Sequence, residues 1–352
     1  MPNQRVQLMA GGDQPSRPSG GAAVWPGGGR CAGDCLTRAT ECPLFSENWD
    51  GELRRNEPLA SLTTLRVGGP AAVAARPSTL AQLASLLALL DRLGCPRRVL
   101  GRGSNLLVAD EGYAGVAIIL GQRMGRITRL PAAPKPAGRE AANRVLVRVE
   151  AGCSLAALLA WATKRGLGGL EFLAGIPGSI GGAVMMNAGA WGESLGERVH
   201  ALEVVSGGRA RVINRSALEF SYRLVQGLAA DEMVGAAILA LVAREPAAIL
   251  ALVRQRHEQR RAVQPQGVAS AGSFFRNPPG DYAGRLIEQA GLKGARVGGA
   301  LVSPKHANFL INSQGARAAD LLALMKLVQE QVLARFGVRL EPEVHLLGFE
   351  RE

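Results

Sequence analysis

The stretch Gly175-Ile176-Pro177-Gly178-Ser179-Ile180-Gly181-Gly182-Ala183 follows a predicted helix and precedes a run of predicted strands. Glycine lets the backbone turn sharply and lets its N–H groups approach an anion closely, and Ser179 adds a hydroxyl donor. A second stretch of this kind, Gly101-Arg102-Gly103-Ser104-Asn105, follows a predicted strand earlier in the chain. Either loop alone could be a plain tight turn. The two together predict a ligand with a pyrophosphate, held by two separate loops.

The chain lacks several better-known nucleotide and catalytic motifs. Neither glycine loop is followed by the Gly-Lys-Ser/Thr of a Walker A motif, and Gly101-x-Gly103 lacks the third glycine and the acidic residue of a Rossmann fingerprint. No Gly-x-Ser-x-Gly elbow is present, which argues against a Ser–His–Asp hydrolase. The four histidines form no metal-ligand pair at helical spacing, so no metal site is predicted.

Apolar periodicity outside the loops predicts interspersed helices and strands, which leaves α/β and α+β open as the fold class. The predicted helices are 78–94 with Ser78 as N-cap, 154–165 with Ser154 as N-cap, 246–262, 283–290 and 318–336. The predicted strands are 98–100, 116–120, 145–149, 202–206, 210–213, 234–242, one near Ala300, 308–311 and 340–347. Residues 127–143 are rich in Pro, Ala and charge and predict a surface insertion.

Length and charge narrow the function classes. The chain has 352 residues, enough for two or three folded units, and its apolar runs are shorter than the ~18 residues that span a bilayer. The net charge is +12, but the arginines are dispersed and no basic stripe carries aromatics. Nucleic acid is therefore a weak prediction, whereas positive charge suits a pocket for anionic ligands.

The cysteines and the N-terminus favour a cytoplasmic protein. Residues 1–45 contain no apolar segment of secretory length and predict a flexible tail. Three cysteines, Cys31, Cys35 and Cys42, lie in that tail at spacings that fit no common zinc or haem signature. Cys95 and Cys153 lie beside predicted elements and are expected in the core. An odd count in a chain of this size indicates a reducing compartment.

Three polar residues of the later half could together serve an enolate or carbanion. Arg223 would hold a substrate carboxylate, and the hydroxyl of Ser273 could deliver a proton, with the carboxylate of Glu343 nearby. The residues alone leave this open, since a single Ser, Arg or Glu is more often a surface residue or a cap.

These stretches, in this order, resemble the UDP-N-acetylenolpyruvoylglucosamine reductase (MurB) family over roughly residues 55–348. The matching pieces are Thr63-Thr64-Leu65-Arg66-Val67-Gly68-Gly69-Pro70, Gly101-Arg102-Gly103-Ser104-Asn105-Leu106-Leu107, 170–183, Met186-Asn187-Ala188-Gly189-Ala190, Tyr222-Arg223, Gly272-Ser273-Phe274-Phe275-Arg276-Asn277-Pro278, Ala290-Gly291-Leu292-Lys293-Gly294, Lys305-His306-Ala307-Asn308-Phe309 and Glu341-Pro342-Glu343-Val344. The Gly-Ile-Pro-Gly and Gly-Ser-Phe-Phe runs are specific to the family.

The resemblance implies an α+β protein with a two-subdomain FAD-binding fold of the PCMH/VAO type and a smaller C-terminal substrate-binding domain. The predicted divisions are a disordered tail over 1–50, an FAD-binding domain over 51–245 with subdomains of about 51–121 and 122–245, and a C-terminal domain over 246–352. The resemblance implies a cytoplasmic enzyme of peptidoglycan synthesis, expected as a monomer without membrane or nucleic-acid partner. NADPH would reduce FAD, which would then reduce UDP-N-acetylenolpyruvoylglucosamine to UDP-N-acetylmuramate.

The resemblance also implies roles for individual residues. Arg223 and Glu343 would stabilise the enolate-like species formed by hydride addition, and Ser273 would protonate it. The expected cofactor contacts are Gly101, Gly103, Ser104, Asn105, Gly178, Ser179, Gly181 and Gly182, and the expected substrate contacts are Tyr222, Asn277, Lys293 and His345. His345 departs from the family, which often has Arg there. The short spacing after Tyr222-Arg223 favours the shorter class of the family, type II.

Two alternatives remain at this point. An FAD-linked oxidase of the same flavin-binding superfamily would have no reason to carry Ser273, Arg223 and Glu343. A non-catalytic nucleotide or nucleic-acid binder would be colourless and would bind DNA in a salt-sensitive manner.

Overall fold

The structure, a computed structural model, describes residue 44, residues 49–131 and residues 144–349. Most of the predicted tail, including its three cysteines, and residues 132–143 of the predicted insertion lie outside the described residues. Within the described part, no helix is both long and apolar enough to cross a membrane.

The elements of the described residues alternate along the chain. The strands are β1 (Glu52–Pro58), β2 (Pro70–Arg76), β3 (Arg97–Leu100), β4 (Leu106–Val108), β5 (Tyr113–Ile119), β6 (Ile127–Arg129), β7 (Arg144–Glu150), β8 (Leu167–Gly168), β9 (Gly189–Ala190), β10 (Glu193–Ser194), β11 (Val199–Ser206), β12 (Arg209–Asn214), β13 (Glu219–Ser221), β14 (Leu224–Gln226), β15 (Met233–Ala243), β16 (Ala269–Ser270), β17 (Arg296–Val297), β18 (Ala300–Val302), β19 (Leu310–Asn312) and β20 (His345–Leu347). The α-helices are α1 (Leu80–Leu93), α2 (Leu155–Lys164), α3 (Ile180–Met185), α4 (Pro246–Val263), α5 (Ala283–Gln289) and α6 (Ala318–Phe336).

Three larger sheets follow one another along the chain. The first has the strand order β1-β2-β5-β3, in which β5 pairs in parallel with β2 and with β3. The second has the order β12-β11-β15-β7-β6, with β8 beside β15, and is antiparallel. The third, β16-β19-β18-β17, is antiparallel as well. The α+β expectation is thus confirmed, while the domain boundaries drawn from the sequence stay a prediction.

Helix α1 packs its predicted leucine face into the core shared by the first two sheets. Leu83, Leu87 and Leu90 are fully buried at helical spacing. Gly94, at a φ of 62°, ends the helix, as predicted. The predicted N-cap at Ser78 is wrong, because the Thr79 side chain accepts the N–H of Gln82 and so caps the helix one residue later. Ser154 does cap α2, as expected.

Other sequence predictions need correction where short elements depend on distant partners. Residues 127–129 are not part of a surface insertion but form β6, paired with β7. The final strand is only His345–Leu347, because residues 340–344 form no continuous hydrogen-bonded ladder with another strand. Helix α3 lies inside the glycine-rich stretch and was not predicted. Cys95 and Cys153 are buried, as predicted.

The C-terminal part of the chain is bound directly to the first sheet region. Strand β20 (His345–Leu347) pairs in parallel with β4 (Leu106–Val108). The carboxylate of Asp110 accepts the N–H groups of Ala318 and Ala319 at 2.9 and 3.0 Å, so a residue from the first region caps helix α6. The two glycine loops and the C-terminal residues are therefore held in one framework.

We expect Asp110→Ala to lower the free energy of unfolding by about 1–2 kcal/mol, because two N–H groups at the start of α6 lose their acceptor. Urea unfolding monitored by circular dichroism measures this loss. Glu111→Ala, at the exposed neighbouring position, is the matched control and should change stability little. Equal stability of the two variants would contradict the capping role.

Candidate functional site

The two glycine loops lie against each other. Ser104 Oγ donates a hydrogen bond to the carbonyl of Pro177 at 3.3 Å. Gly101 faces Ser179, because a Cβ added at position 101 would stand 2.2 Å from Ser179 Oγ. Gly178 has a φ of 139°, which favours glycine. The loops thus have the proximity that a shared ligand requires.

Gly181 and Gly182 differ in their surroundings. The N–H of Gly181 donates to the carbonyl of Ala151 at 2.9 Å, and a Cβ there would stand 3.0 Å from Ala151 Cβ. A Cβ at position 181 would therefore be a tight fit, and the N–H of Gly181 is already hydrogen-bonded within the protein. A Cβ at Gly182 would be 3.8 Å from Ser179 Oγ, an ordinary contact. Gly182 is the less constrained of the two.

Arg223 and Glu343, predicted as catalytic, form an ion pair with 2.7 Å between Nε and Oε1. The two-residue turn between β13 (Glu219–Ser221) and β14 (Leu224–Gln226) presents Arg223 at a φ of 58°. At this distance the guanidinium of Arg223 and the carboxyl group of Glu343 attract each other electrostatically. Burial raises the pKa of Glu343, and the charges of Arg223 and Arg276 oppose the rise.

Ser273 lies beside Glu343 through the backbone. The next residue, Phe274, accepts the N–H of Glu343 at 2.8 Å and donates its own N–H to the carbonyl of Asn308 at 2.8 Å. Ser273 is half-buried and follows Gly272, which has a φ of 78°. The structure thus carries Ser273 and Glu343 on hydrogen-bonded neighbouring segments.

Glu343 also contacts the first glycine loop. The side-chain amide of Asn105 donates to the carbonyl of Glu343 at 3.0 Å, and the carbonyl of Asn105 accepts the N–H of His345 at 3.1 Å. Asn105 is predicted to contact a cofactor, and its side-chain amide nitrogen is engaged with the protein. These bonds place the ion pair at the border of the glycine loops.

His345 is joined to the second glycine loop's helix. Its Nε2 lies 3.5 Å from Met186 Sδ. Desolvation by its neighbours, and then the charges of Arg98 and Arg276, lower the pKa of His345, although part of the ring is exposed. At neutral pH the ring is therefore mainly neutral and does not replace the charge of an arginine.

The remaining predicted substrate contacts divide into two groups. Tyr222 is 56% exposed at the hairpin turn, with its ring 5.1 Å from the guanidinium of the neighbouring arginine. Asn277 Oδ1 accepts the first N–H of helix α5 (Ala283–Gln289) at 3.1 Å. Lys293 Nζ pairs with Glu288 at 2.6 Å. Tyr222 therefore lies beside the ion pair, whereas Asn277 and Lys293 bond within the C-terminal part.

Arg276 is a functional candidate that the sequence analysis missed. Its charge acts on Glu343 and on His345. Its Nε is buried and has no hydrogen-bond partner among the described residues, which is costly unless a ligand supplies one. The signal was available, because Arg276 stands between Phe275 and Asn277 in a family-specific run.

The environment of His306 makes the stability of the folded chain depend on pH. Its Nδ1 accepts the N–H of Asn308 at 3.2 Å, and its ring packs 4.9 Å from that of Phe309. Burial, and then the charge of Lys293, lower the pKa of His306. The folded chain therefore binds a proton on His306 more weakly than the unfolded chain does. The contribution of the neutral His306 ring to the free energy of unfolding is lost as the pH falls below the unfolded pKa of about 6.5.

We expect the free energy of unfolding to decrease between about pH 7.5 and pH 5.5, and His306→Gln to remove part of that decrease. Urea unfolding at several pH values measures it. His200→Gln, exposed on β11 (Val199–Ser206), is the control and should leave the slope unchanged. Identical slopes for wild type and His306→Gln would contradict the assignment.

Comparisons with known proteins agree with one another. A family model described as UDP-N-acetylenolpyruvoylglucosamine reductase, C-terminal domain, matches residues 264–347, and one described as FAD binding domain matches residues 70–214. The chain is 44% identical over 299 residues to UDP-N-acetylenolpyruvoylglucosamine reductase 2 of Symbiobacterium thermophilum, covering 85% of this chain and 93% of that protein. The reductase of Pelobacter propionicus is 42% identical over 307 residues, covering 87% and 99%. The crystal structure of MurB from Thermus caldophilus is 37% identical, with a TM-score of 0.69, and covers 84% of this chain and 98% of that one.

Proposed function

Because the chain belongs to the UDP-N-acetylenolpyruvoylglucosamine reductase (MurB) family, we propose that Arg223, Glu343 and Ser273 catalyse the reduction for which the family is named. The protein is a UDP-N-acetylmuramate dehydrogenase of peptidoglycan precursor synthesis that uses FAD, with NADPH as reductant. Its fold is the two-subdomain FAD-binding fold of the PCMH/VAO type followed by the family's C-terminal domain. The observation that carries the site assignment is the 2.7 Å ion pair bordering the glycine loops.

The glycine loops fit the pyrophosphate of FAD. A Cβ at Gly103 would stand 2.2 Å from the carbonyl of Leu62, so no side chain fits at this position. The hydroxyls of Ser104 and Ser179 lie beside that backbone. The residues proposed to hold the cofactor are Gly101, Gly103, Ser104, Asn105, Gly178, Ser179, Gly181 and Gly182. When bound, FAD supplies the hydride relay from NADPH to the substrate.

The side chains of the ion pair act where charge develops. Reduction adds a hydride to the terminal vinyl carbon of the enolpyruvyl group and leaves negative charge delocalised into the neighbouring carboxylate. Arg223 holds that carboxylate, since a guanidinium matches it with two parallel hydrogen bonds. Burial raises the pKa of Glu343, which eases protonation of its carboxyl group, and a protonated carboxyl group can donate a hydrogen bond to the same species. Ser273 then delivers a proton to the adjacent carbon.

The sugar nucleotide would extend from this centre into the C-terminal part. Asn277 uses Oδ1 to cap helix α5 (Ala283–Gln289), which leaves its amide nitrogen for the diphosphate, and Lys293 adds positive charge. Tyr222 and His345 would contact the substrate nearer the reacting group. The two-residue turn at Tyr222-Arg223 supports assignment to type II, because it leaves no additional loop at this point.

We propose the cytoplasm as the location of the protein, as the sequence predicts. Two buried cysteines, Cys95 and Cys153, suit a reducing cytoplasm. The protein would act there as a monomer, with the sugar nucleotide and NADPH as its partners.

The test is an assay of the purified full-length protein. We expect a yellow protein with a flavin spectrum whose NADPH oxidation, measured by absorbance under anaerobic conditions, requires the enolpyruvyl sugar nucleotide. Rapid NADPH oxidation driven by oxygen alone would favour the oxidase alternative. A colourless protein that binds DNA in a salt-sensitive manner would contradict the flavoenzyme assignment.

A further inference from the structure

We propose that three asparagines, Asn105, Asn187 and Asn308, are positioning residues, each of which uses its side-chain amide to hold the backbone that carries one catalytic side chain. The inference rests on the proposed function of Arg223, Ser273 and Glu343. Those three residues come from separate segments of the chain, so no single helix or strand fixes their mutual geometry.

Asn187 holds the hairpin of Arg223. Its amide nitrogen donates to the carbonyl of Ser221 at 3.0 Å, and its oxygen accepts the N–H of Gly196 at 2.9 Å. Ser221 ends β13 (Glu219–Ser221) and directly precedes the turn that presents Arg223. Asn187 is 8% exposed and adopts a φ of 39°, a left-handed conformation that clusters at functional sites. The amide therefore fixes the turn from outside the hairpin.

Asn308 holds the segment of Ser273. Its Oδ1 accepts the N–H of Phe275, and its Nδ2 donates to the carbonyl of Phe275, both at 2.9 Å. Its backbone carbonyl accepts the N–H of Phe274 at 2.8 Å. Asn308 is 3% exposed, so water does not replace these bonds. The two residues after Ser273 are thus fixed by one asparagine.

Asn105 holds Glu343 itself. Its amide nitrogen donates to the carbonyl of Glu343 at 3.0 Å, and its carbonyl accepts the N–H of His345 at 3.1 Å. The catalytic carboxylate is thereby tied to the glycine loop proposed to hold the cofactor. All three asparagines lie within runs that resemble the family.

The pattern has a matched counterpart away from the site. Asn312 donates to the carbonyl of Leu65 at 3.1 Å and accepts the N–H of Ala316 at 2.8 Å, so it makes the same two backbone bonds. It adjoins none of the three catalytic residues. Loss of the Asn312 amide should therefore cost stability alone, whereas loss of a positioning amide should also misplace a reacting group. A misplacement of about 1 Å can cost about 100-fold in rate.

The experiment separates the two half-reactions of the FAD-loaded full-length protein by stopped flow. The variants are Asn187→Gly, which tolerates the positive φ, Asn308→Ala, and Asn312→Ala as control. Flavin reduction by NADPH and flavin reoxidation by the enolpyruvyl sugar nucleotide are timed separately. Unfolding in urea and the Kd of the sugar nucleotide for the oxidised protein are measured on the same samples.

We expect Asn187→Gly and Asn308→Ala to slow reoxidation by about 10- to 100-fold while flavin reduction changes less than about threefold. In an Arg223→Ala background, Asn187→Gly should slow flavin reoxidation further by less than about threefold, because the effect of Asn187 passes through Arg223. In that background, Asn308→Ala should keep its full effect. Where Asn187→Gly fails to fold, Asn187→Asp keeps the oxygen that accepts from Gly196 and should show the same loss.

Reoxidation rates that match those of Asn312→Ala, or full additivity of Asn187→Gly with Arg223→Ala, would overturn the inference. A wild-type protein that the sugar nucleotide does not reoxidise would instead overturn the proposed function. The two failures are therefore distinguishable on the same set of samples.

Discussion

Ser273→Ala is expected to slow the reoxidation of reduced flavin by the enolpyruvyl sugar nucleotide by about 100- to 10,000-fold, the usual contribution of a positioned general acid. Flavin reduction by NADPH should proceed at the wild-type rate, because that step needs no proton from Ser273. The two half-reactions are measured separately by anaerobic stopped flow. The structure supports this expectation by placing Ser273 next to Phe274, whose carbonyl accepts the N–H of Glu343 at 2.8 Å.

Ser270→Ala is the matched control for this prediction. Ser270 ends strand β16 (Ala269–Ser270), three positions earlier, and pairs with Ile311 in the third sheet. It should leave both half-reactions unchanged. If Ser273→Ala is reoxidised at the wild-type rate, the proton donor has been assigned to the wrong residue.

The longer helices were predictable because their information is local. The leucine spacing of α1 (Leu80–Leu93) and the glycine that ends it are contained in one short stretch. Some short strands and strand ends were not, because they depend on partners far along the chain. Strand β6 (Ile127–Arg129) exists through pairing with β7, and β20 (His345–Leu347) through pairing with β4. The cap at Thr79 rather than Ser78 shows the same limit, since both residues have a suitable hydroxyl.

The site was predictable in its residue types and not in its contacts. Glycines and serines in two loops indicated a shared anionic ligand, and the loops do meet at Ser104 and Pro177. The approach of Arg223 to Glu343 could come only from the family resemblance, because no periodicity links residues so far apart. The position of Arg276 in the Gly-Ser-Phe-Phe run was a signal in the sequence, but the burial of its Nε, which sets it apart from the other arginines, is visible only in three dimensions.

Arg223→Gln is expected to slow flavin reoxidation by about 100- to 1,000-fold, as the loss of a preorganised charge at a developing anion usually does. It should also change the pH dependence of that step. Burial raises the pKa of Glu343, and the charge of Arg223 is the largest effect opposing the rise. Without that charge, Glu343 keeps its proton to higher pH. The limb of the pH–rate profile that reports Glu343 should therefore move to higher pH.

Arg223→Lys is the control, because it keeps the positive charge but loses the planar fork of the guanidinium. The reoxidation rate of Arg223→Lys should fall, while the limb of its pH–rate profile that reports Glu343 stays near its wild-type pH. A limb that shifts equally in Arg223→Lys and Arg223→Gln would contradict the electrostatic explanation.

Stability provides an independent check. Arg223→Gln leaves the carboxylate of Glu343 buried without its partner, so Arg223→Gln/Glu343→Gln should unfold at a higher urea concentration than Arg223→Gln alone. Both side chains keep some exposure, 21% and 11%, so the difference should be smaller than the ~3–5 kcal/mol typical of fully buried pairs.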